Sequence, residues 1–253
     1  MEFTDRVLIL RIGKFREADL WVRFLSPMRG ILSAFAFGAA RSRRRFSGCL
    51  DIFNDVLCRV QRTKNGLYLV LQEAVLMQGP IRLRQDWRRL GLAMNCLKFL
   101  EAFGVGIDGA AKAHTLFSDV LALLEDDEQP PMDLPLLFRA RLAFDQGYSL
   151  RLAVCGKCGA LLRNEPICSF IVAEGIFCCN ACRRQEKTKM SIHLGREILD
   201  VLYYVQEYSP LQWRQGCLAG LSSGGRKECA RIVDLFIQRH VGLQWMHNRF
   251  IKI

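Results

Sequence analysis

Two Cys-x-x-Cys pairs are the part of this sequence whose residue types and spacing most directly specify a chemistry. The first pair is Cys155 and Cys158, and the second pair, after twenty intervening residues, is Cys179 and Cys182. Each Cys-x-x-Cys turn directs two thiolates at one point, so two such turns create a tetrahedral cage of four sulfurs. The spacing predicts a structural zinc site. A closed four-cysteine shell leaves no coordination position for water or substrate, so its expected role is to hold the fold together.

Three other interpretations of these cysteines remain open. Disulfide bonds need an oxidising compartment, and no charged-then-apolar signal peptide opens the chain. A thioredoxin-like redox pair needs a strand–helix–strand unit around Cys155, which the sequence does not predict. The third alternative is coincidence, in a chain with 11 cysteines. The zinc-spacing rule favours the metal site over all three.

The second pair contains an ambiguity, because Cys178 directly precedes Cys179. Cys178 with Cys182 would make a looser turn with three intervening residues, and Cys168 lies in the loop between the two pairs. The tighter turn favours Cys179 and Cys182 as ligands. Five further cysteines lie in apolar surroundings and are expected to act as small core residues. They are Cys49, Cys58, Cys96, Cys217 and Cys229.

The composition points to an anionic partner. At 253 residues and 51% hydrophobic content, the chain can bury a real core, in one large domain or two small ones. The net charge of +11 favours nucleic acid first and a membrane surface second. No apolar run reaches the roughly 18 residues that a membrane helix needs. Residues 1–64 hold 13 Lys and Arg against 6 Asp and Glu, whereas residues 65–253 hold 23 against 19. Most of the net positive charge therefore lies in the first quarter of the chain.

This first quarter has the pattern of β structure. Short apolar runs cover residues 7–10, 20–25, 31–37, 50–60 and 67–76. The Asn65-Gly66 pair between the last two runs is a strong hairpin signal. Five short strands with glycine turns in this length predict a small closed barrel such as the OB-fold. An SH3-like barrel would satisfy the same pattern.

A cationic loop lies between the third and fourth of these runs. It holds four arginines in five residues, namely Arg41, Arg43, Arg44 and Arg45. Guanidinium groups bind phosphate bidentately, and a mobile loop can follow a nucleic-acid backbone without a rigid register. The alternative is a solvated basic loop, but the surrounding net charge favours phosphate contact. Phe35, Phe37 and Phe46 offer faces for base stacking, although core packing is the preferred interpretation for each.

After residue 80 the apolar residues recur with a helical period. A stripe runs from Trp87 to Leu97 and stops at Gly104, and Thr115 is a candidate cap for a helix ending near Leu124. Further helices are predicted over residues 134–146, 193–208 and 227–241. The sequence thus predicts an α+β protein, with a five-stranded OB-like barrel over residues 1–79. A helical domain over residues 80–253 follows, interrupted by a zinc-ribbon-like module at about 153–184.

Motifs for catalysis are missing from the sequence. The histidines His114, His193, His240 and His247 are scattered, and none belongs to an His-Glu-x-x-His motif. There is no P-loop and no glycine fingerprint for a dinucleotide. We therefore expect the protein not to be an enzyme. A metal-dependent nuclease remains as an alternative, since such enzymes can assemble scattered carboxylates around magnesium.

The order of these features resembles the RecO family of recombinational repair proteins. Near the N-terminus the matching residues are Val7-Leu8, Arg16-Glu17-Ala18-Asp19, Phe24-Leu25-Ser26, Gly30 and the loop from Gly38 to Arg43. Further along they are Phe138 to Leu142, Gly147-Tyr148, Leu152 and Cys155-Gly-Lys-Cys158-Gly159. The family commonly has Gly-Gly before the second cysteine pair, where this chain has Glu174-Gly175 followed by the doubled cysteine.

The resemblance implies a DNA-binding mediator of the bacterial cytoplasm that is associated with the nucleoid and not with a membrane. Proteins of this family bind single- and double-stranded DNA, anneal complementary strands, engage the single-strand-binding protein, and act with RecR to load RecA. On this chain, the DNA contacts are expected at Arg41, Arg43, Arg44 and Arg45, with Arg11, Lys14 and Arg16 as weaker candidates.

The helical domain is expected to dock the protein partners. An apolar groove with basic rims would suit an acidic tail that ends in an aromatic residue. Another class of function remains open, an RNA-binding barrel-plus-ribbon protein of the translation or transcription machinery. A protein that recognises the ribose 2′-hydroxyl would bind RNA more tightly than DNA of the matched sequence.

Overall fold

The computed structural model describes residues 2–165, 167–185, 191–216 and 221–253. The fold combines helices and strands, as predicted. The chain divides into two compact units. The barrel unit comprises residues 1–93 and 104–127, and the helical unit comprises residues 94–103 and 128–253. Among the described residues, none of the helices combines the length and the apolar character that a bilayer crossing requires.

Five strands form a closed ring in the barrel unit. They are β1 (Glu2–Lys14), β2 (Leu20–Ser26), β3 (Gly30–Ala36), β4 (Asp55–Arg62) and β5 (Leu69–Gln78). Strand β1 pairs with β2 and β4, and β5 pairs with β4. Antiparallel β2–β3 pairing and a short parallel contact between β3 and β5 complete the ring. This ring is the predicted five-stranded N-terminal sheet.

Strand β4 begins at Asp55, later than the apolar run at residue 50 suggested. The cause is a turn at Phe53, whose φ of 67° is incompatible with a strand. The Phe53 N–H donates to the Ile9 carbonyl at 2.8 Å, and the Ile9 N–H donates to the Asn54 carbonyl at 2.9 Å. The run therefore folds against β1 before β4 starts.

The barrel interior is apolar because the strands alternate inward and outward residues. Val7, Phe24 and Val56 are fully buried there, together with Cys49 and Cys58. Burial raises the pKa of the Cys58 thiol to about 12, and the nearby charge of Asp5 adds to the effect. Both thiols thus behave as small neutral core groups, as predicted.

Two of the remaining core predictions concern the helical unit. Cys96 and Cys229 are buried there, as expected, and burial also raises the pKa of Cys229 to about 12. Cys217 lies outside the described residues.

Three helices follow the barrel strands in sequence, α1 (Arg82–Gln85), α2 (Trp87–Phe103) and α3 (Ala110–Asp126). The Glu125 carboxylate of α3 accepts hydrogen bonds of 2.8–3.0 Å from the N–H groups of Ile81, Arg82 and Leu83, which fixes the start of α1. Helix α3 begins at Ala110, so the prediction that Thr115 caps it is wrong. The buried Ala110 and its neighbours extend the helical pattern one turn upstream.

A glycine in β3 allows the segment between α2 and α3 to approach the barrel closely. Gly30 has a φ of 73°, which favours glycine, and a Cβ there would lie 2.4 Å from the Val105 carbonyl oxygen. The adjacent Ile31 N–H donates to the same oxygen at 3.1 Å. The segment before α3 therefore joins the start of β3 by backbone contact.

The helical unit consists of helices around a small sheet. Its helices are α4 (Leu134–Asp145), α5 (Asn180–Gln185), α6 (Arg196–Glu207), α7 (Pro210–Gly216) and α8 (Ser223–Phe236), which continues as a π turn over Ile237–Val241. Its strands are β6 (Ile167–Ile171), β7 (Ile176–Cys178), β8 (Ser191–Gly195), β9 (Leu243–Met246) and β10 (Arg249–Lys252). The first three strands form one sheet in the order β7-β6-β8, and the last two form a separate hairpin.

The predicted helix over residues 193–208 is partly wrong. His193 lies in β8, and the helix starts at Arg196. The reason is tertiary, because β8 pairs with β6 and places His193 opposite Ser169. The π turn and the hairpin that follows it were not predicted either.

Candidate metal centre and nucleic-acid interface

The four predicted cysteines come together at one point of the helical unit. The sulfurs of Cys155, Cys158, Cys179 and Cys182 all lie within 4.8 Å of one another. The Cys158 and Cys179 sulfurs are 3.7 Å apart. A tetrahedron with metal–sulfur bonds of about 2.3 Å has edges of about 3.8 Å. The group can therefore hold one metal ion without rearrangement of its backbone.

The first cysteine turn is shaped by its backbone. The Cys155 N–H donates to the Ala160 carbonyl at 2.7 Å, and the Gly156 N–H donates to the Phe177 carbonyl at 2.8 Å. A Cβ at Gly156 would lie 2.7 Å from the Cβ of Ile176. Only glycine fits this close approach, which brings the first turn against β7 and so beside the second cysteine pair.

The site favours a thiolate at Cys155. Burial alone would disfavour the charged form, but N–H groups of Cys158, Cys179 and Lys157 point at its sulfur and lower its pKa to about 6. The Cys179 N–H, for example, lies 3.4 Å from the Cys155 sulfur. Because the thiolate is the form that binds metal, these backbone dipoles prepare the site for a cation.

Cys178 lies in β7, outside the four-sulfur group. Burial, followed by the charge of Cys155, raises the pKa of its thiol to about 12. Cys168 in β6 is likewise buried, and burial raises its pKa to about 11. Both thiols are expected to stay neutral beside the group. The geometry thus favours Cys179 over Cys178 as the third ligand.

A histidine that the sequence left without a role supports this module. The Arg183 guanidinium of α5 lies 2.7 Å from His193 Nε2, and His193 Nδ1 lies 2.8 Å from the Ser169 hydroxyl. Arginine can only donate, so Nε2 accepts and the ring proton is on Nδ1. His193 therefore donates to Ser169 and cannot act as a base toward it. The contact ties α5, β8 and β6 together around the cysteines.

The predicted DNA-binding arginines lie in a loop at one end of the barrel, residues 37–49, here called the arginine loop. It is more firmly anchored than a mobile loop. Phe46 is 4% exposed and packs in the barrel core, so the prediction of core packing is confirmed for this side chain. The Arg45 guanidinium donates to the Phe37 carbonyl at 2.7 Å, and the Ala74 N–H donates to the Arg45 carbonyl at 2.9 Å.

The four loop arginines consequently differ in what they contact. Arg45 fastens the loop, and its guanidinium lies 5.0 Å from the centroid of the Phe46 ring. Arg41 forms an exposed ion pair of 3.3 Å with Glu17. Arg43 and Arg44 are exposed, and neither makes a hydrogen bond or an ion pair within the described part of the chain. Two exposed cations of the loop thus have no hydrogen-bond or ion-pair partner among the described residues.

The arginine loop is joined to the turn between β1 and β2, residues 15–19. The Asp19 carboxylate accepts from the Gly38 N–H at 2.8 Å, and the Ala40 N–H donates to the Ala18 carbonyl at 3.0 Å. The turn carries Arg16, whose guanidinium lies 5.2 Å from the centroid of the Phe15 ring. The two segments form one surface, here called the cationic platform.

The structure places the weaker candidates at different distances from this platform. Lys14 is the last residue of β1 and is exposed directly beside the turn. Arg11 lies three residues earlier, about 10 Å away along the strand. Its cross-strand neighbour on β2 is Arg23. Arg16 therefore lies within the platform and Lys14 directly beside it, whereas Arg11 lies on the barrel wall.

An aromatic cluster borders the platform, and its exposed members were not predicted. The Phe35 ring is at its centre, with ring centroids 4.6 Å from Phe15, 6.0 Å from Phe37 and 5.4 Å from Tyr68. Phe15 is 46% exposed and Tyr68 is 42% exposed. Tyr68 follows the Asn65-Gly66 turn. An aromatic residue directly after a predicted hairpin turn is the sequence feature that could have identified it.

Two family models match successive parts of this chain. Residues 1–79 match the family model described as recombination protein O N terminal, and residues 84–249 match recombination protein O C terminal. The chain belongs to the RecO family. Its relatives include proteins named DNA repair protein RecO from Nitratidesulfovibrio vulgaris strain DP4, 53% identical over 256 residues, and from Oleidesulfovibrio alaskensis, 49% identical over 253 residues. A third, from Lawsonia intracellularis, is 42% identical. In each case 100% of both chains is covered.

Membership of the RecO family confirms the resemblance drawn from the order of the motifs. The OB-like barrel and the cysteine group that can hold a metal ion fit a DNA repair protein of the RecO family.

The two adjacent cysteines allow a matched test of the metal site. We expect Cys179→Ser to abolish metal binding and to lower the melting temperature, because it removes one corner of the tetrahedron. Cys178→Ser should retain about one metal ion per chain. Elemental analysis of the purified variants gives the metal content, and thermal unfolding gives the stability. Equal metal loss in the two variants would contradict the ligand assignment.

Proposed function

We propose that this chain is a non-catalytic mediator of recombinational DNA repair. In this role it binds single- and double-stranded DNA and anneals complementary strands. With RecR, it helps to load RecA onto DNA that is coated by single-strand-binding protein. The observation that carries the proposal is the cationic platform beside an aromatic cluster at one end of the barrel, in a chain of the RecO family.

The platform suits single-stranded DNA through two kinds of contact. Arg43 and Arg44 are available to neutralise phosphates and release counterions, with Lys14 and Arg16 at their side. Phe15 and Tyr68 offer ring faces on which unpaired bases can stack. A surface that neutralises two polyanions can bring complementary strands together, which is the physical requirement of annealing.

We propose zinc as the ion of the four-cysteine group and assign it a structural role. Four cysteine ligands complete a tetrahedral shell, so the bound ion would cross-link the two cysteine turns and leave no position for a reacting water. The residues that would hold it are Cys155, Cys158, Cys179 and Cys182. The proposed DNA contacts lie in the barrel unit, away from these residues in the sequence.

A groove in the helical unit supports the proposed partnership with single-strand-binding protein. It has a volume of about 330 Å³ and lies between the cysteine module and α6. Its apolar lining is Leu152, Leu161, Leu162, Leu199 and Tyr203. Arg163 and Arg196 stand at the rim, and Arg196 is paired with Asp200 at 3.4 Å. An acidic peptide with an aromatic end would place its ring in the groove and its carboxylates near Arg163.

The first test replaces the two solvent-directed arginines. Arg43→Gln/Arg44→Gln should weaken binding of labelled single-stranded DNA and reduce the slope of log affinity against log salt by about 1.4, since each phosphate contact contributes about 0.7. Fluorescence anisotropy over a salt series measures both quantities. Lys227→Gln/Arg231→Gln, which removes two exposed cations of α8, is the matched control. An unchanged slope in the loop variant would refute the platform as the phosphate site.

The second test separates stacking from charge. Phe15→Leu/Tyr68→Leu should weaken single-stranded binding by about 1–3 kcal/mol for each lost stack. Binding to duplex DNA should change little, because paired bases are not free to stack on a protein ring. Anisotropy with matched single-stranded and duplex oligonucleotides measures the difference, and a matched RNA strand tests the preference for DNA. A similar loss for both DNA forms would argue against base stacking.

The third test addresses the groove. Arg163→Glu should weaken binding of a fluorescent acidic peptide with an aromatic terminus by at least tenfold, because it reverses the charge at the rim. Calorimetric or anisotropy titration of the full chain measures the affinity. Lys227→Glu makes the same charge change outside the groove and should leave it unaltered. If both variants weaken binding equally, the interaction is non-specific electrostatics and the groove is not the docking site.

A further inference from the structure

The proposed function leaves the last strand pair of the chain without a role. Strands β9 and β10, here called the C-terminal hairpin, are joined by a turn at His247 and Asn248, which both have positive φ values of 49° and 61°. Residues 235–253 contain no Asp or Glu and three Lys or Arg. These three cations are Arg239, Arg249 and Lys252. The segment is therefore locally cationic.

The hairpin is held rigidly on one of its faces. Directly opposed residues of antiparallel strands point to the same side, so Trp245 and its partner Phe250 share a face. The Phe250 ring centroid lies 5.0 Å from that of Phe99 in α2 and 4.7 Å from that of Trp245. Leu243 is buried. These contacts fix the position of the Trp245 ring.

The Trp245 ring nevertheless remains 42% exposed. The Lys98 ammonium lies 5.6 Å from its centroid and 3.2 Å from the Asn248 side-chain oxygen. Glu101 follows Lys98 by three residues on α2, so this helix carries charges of both signs here, whereas residues 235–253 carry cations and no Asp or Glu. The acidic residue that precedes the segment, Asp234, is paired with Arg139 at 3.0 Å.

Two arginines extend this surface, one in the hairpin and one in the π turn that precedes it. Arg249 is exposed opposite Met246 on the outward side of the hairpin. Arg239 lines a surface hollow of about 420 Å³ together with Gly242 and Ile253, which flank the hairpin. A fixed, exposed indole among cations is the combination that binds single-stranded nucleic acid, with rings for bases and cations for phosphates.

We propose that the C-terminal hairpin is a second contact site for single-stranded nucleic acid, separate in sequence from the cationic platform. Trp245 stacks on a base, Lys252 on the same hairpin face neutralises an adjacent phosphate, and Arg249 neutralises a phosphate where the strand passes the outward side. The inference rests on the proposed DNA-binding function and adds to it a place for a second strand or for the continuation of the first. A protein ligand is disfavoured because the exposed aromatic is surrounded by unbalanced positive charge.

The test uses the full chain and two hairpin variants. Arg249→Gln/Lys252→Gln leaves the aromatic packing intact and should reduce the salt slope of single-strand binding by about 1.4. Trp245→Leu should weaken binding at least fivefold, with folding verified by thermal unfolding. The charge-matched control is again Lys227→Gln/Arg231→Gln. In addition, cross-linking with an oligonucleotide that contains 5-iodouracil should yield a modified peptide containing Trp245.

The outcomes separate this inference from the function on which it rests. If the unmodified chain fails to bind single-stranded DNA, the proposed function itself is wrong. If the chain binds but the hairpin double variant keeps the full salt slope and cross-links map only to the barrel, the hairpin proposal is overturned, and a protein partner becomes the better explanation. A reduced slope with a cross-link at Trp245 supports the second site.

Discussion

The burial of Phe46 in the barrel interior is the interaction on which the cationic platform, the proposed nucleic-acid surface, depends. A loop with four arginines in five residues repels itself and would not adopt a fixed position through charge alone. One buried aromatic ring, reinforced by the Arg45 contact with the Phe37 carbonyl, attaches this loop to the barrel. The bond between Asp19 and the Gly38 N–H then aligns it with the neighbouring turn. Hydrophobic burial thus positions the charges, and the free arginines are those that the anchoring does not use.

The four-cysteine group applies a similar constraint to the helical unit. Its first turn packs against strand β7 of a small sheet, and its second begins directly after that strand and continues into α5. Backbone N–H groups directed at Cys155 stabilise a thiolate, and the close packing of Gly156 on Ile176 brings the turns together. The contact of Arg183, His193 and Ser169 supports the same region. A metal ion bound there would occupy a four-sulfur site whose geometry the folded chain already provides.

Local patterns allowed the strands, most helices and the cysteine group to be predicted, because each depends on spacing within a short segment. Predictions failed where a distant partner decided the outcome. His193 entered a strand because β6 was available for pairing, and α3 began before Thr115 because its first turn is buried. The exposed aromatics Phe15 and Tyr68 were missed for a related reason, since they lie far apart in the sequence and meet only around Phe35.

By itself, the sequence determined the excess of positive charge, the residues able to hold a metal, the β character of the first quarter and the order of motifs shared with the RecO family. Those properties reside in composition and in short-range spacing. The tertiary structure alone decided which arginines fasten the loop and which remain exposed, and which aromatic side chains meet around Phe35. The physical reason is that each of these choices depends on burial and on hydrogen bonds between segments that only folding brings into contact.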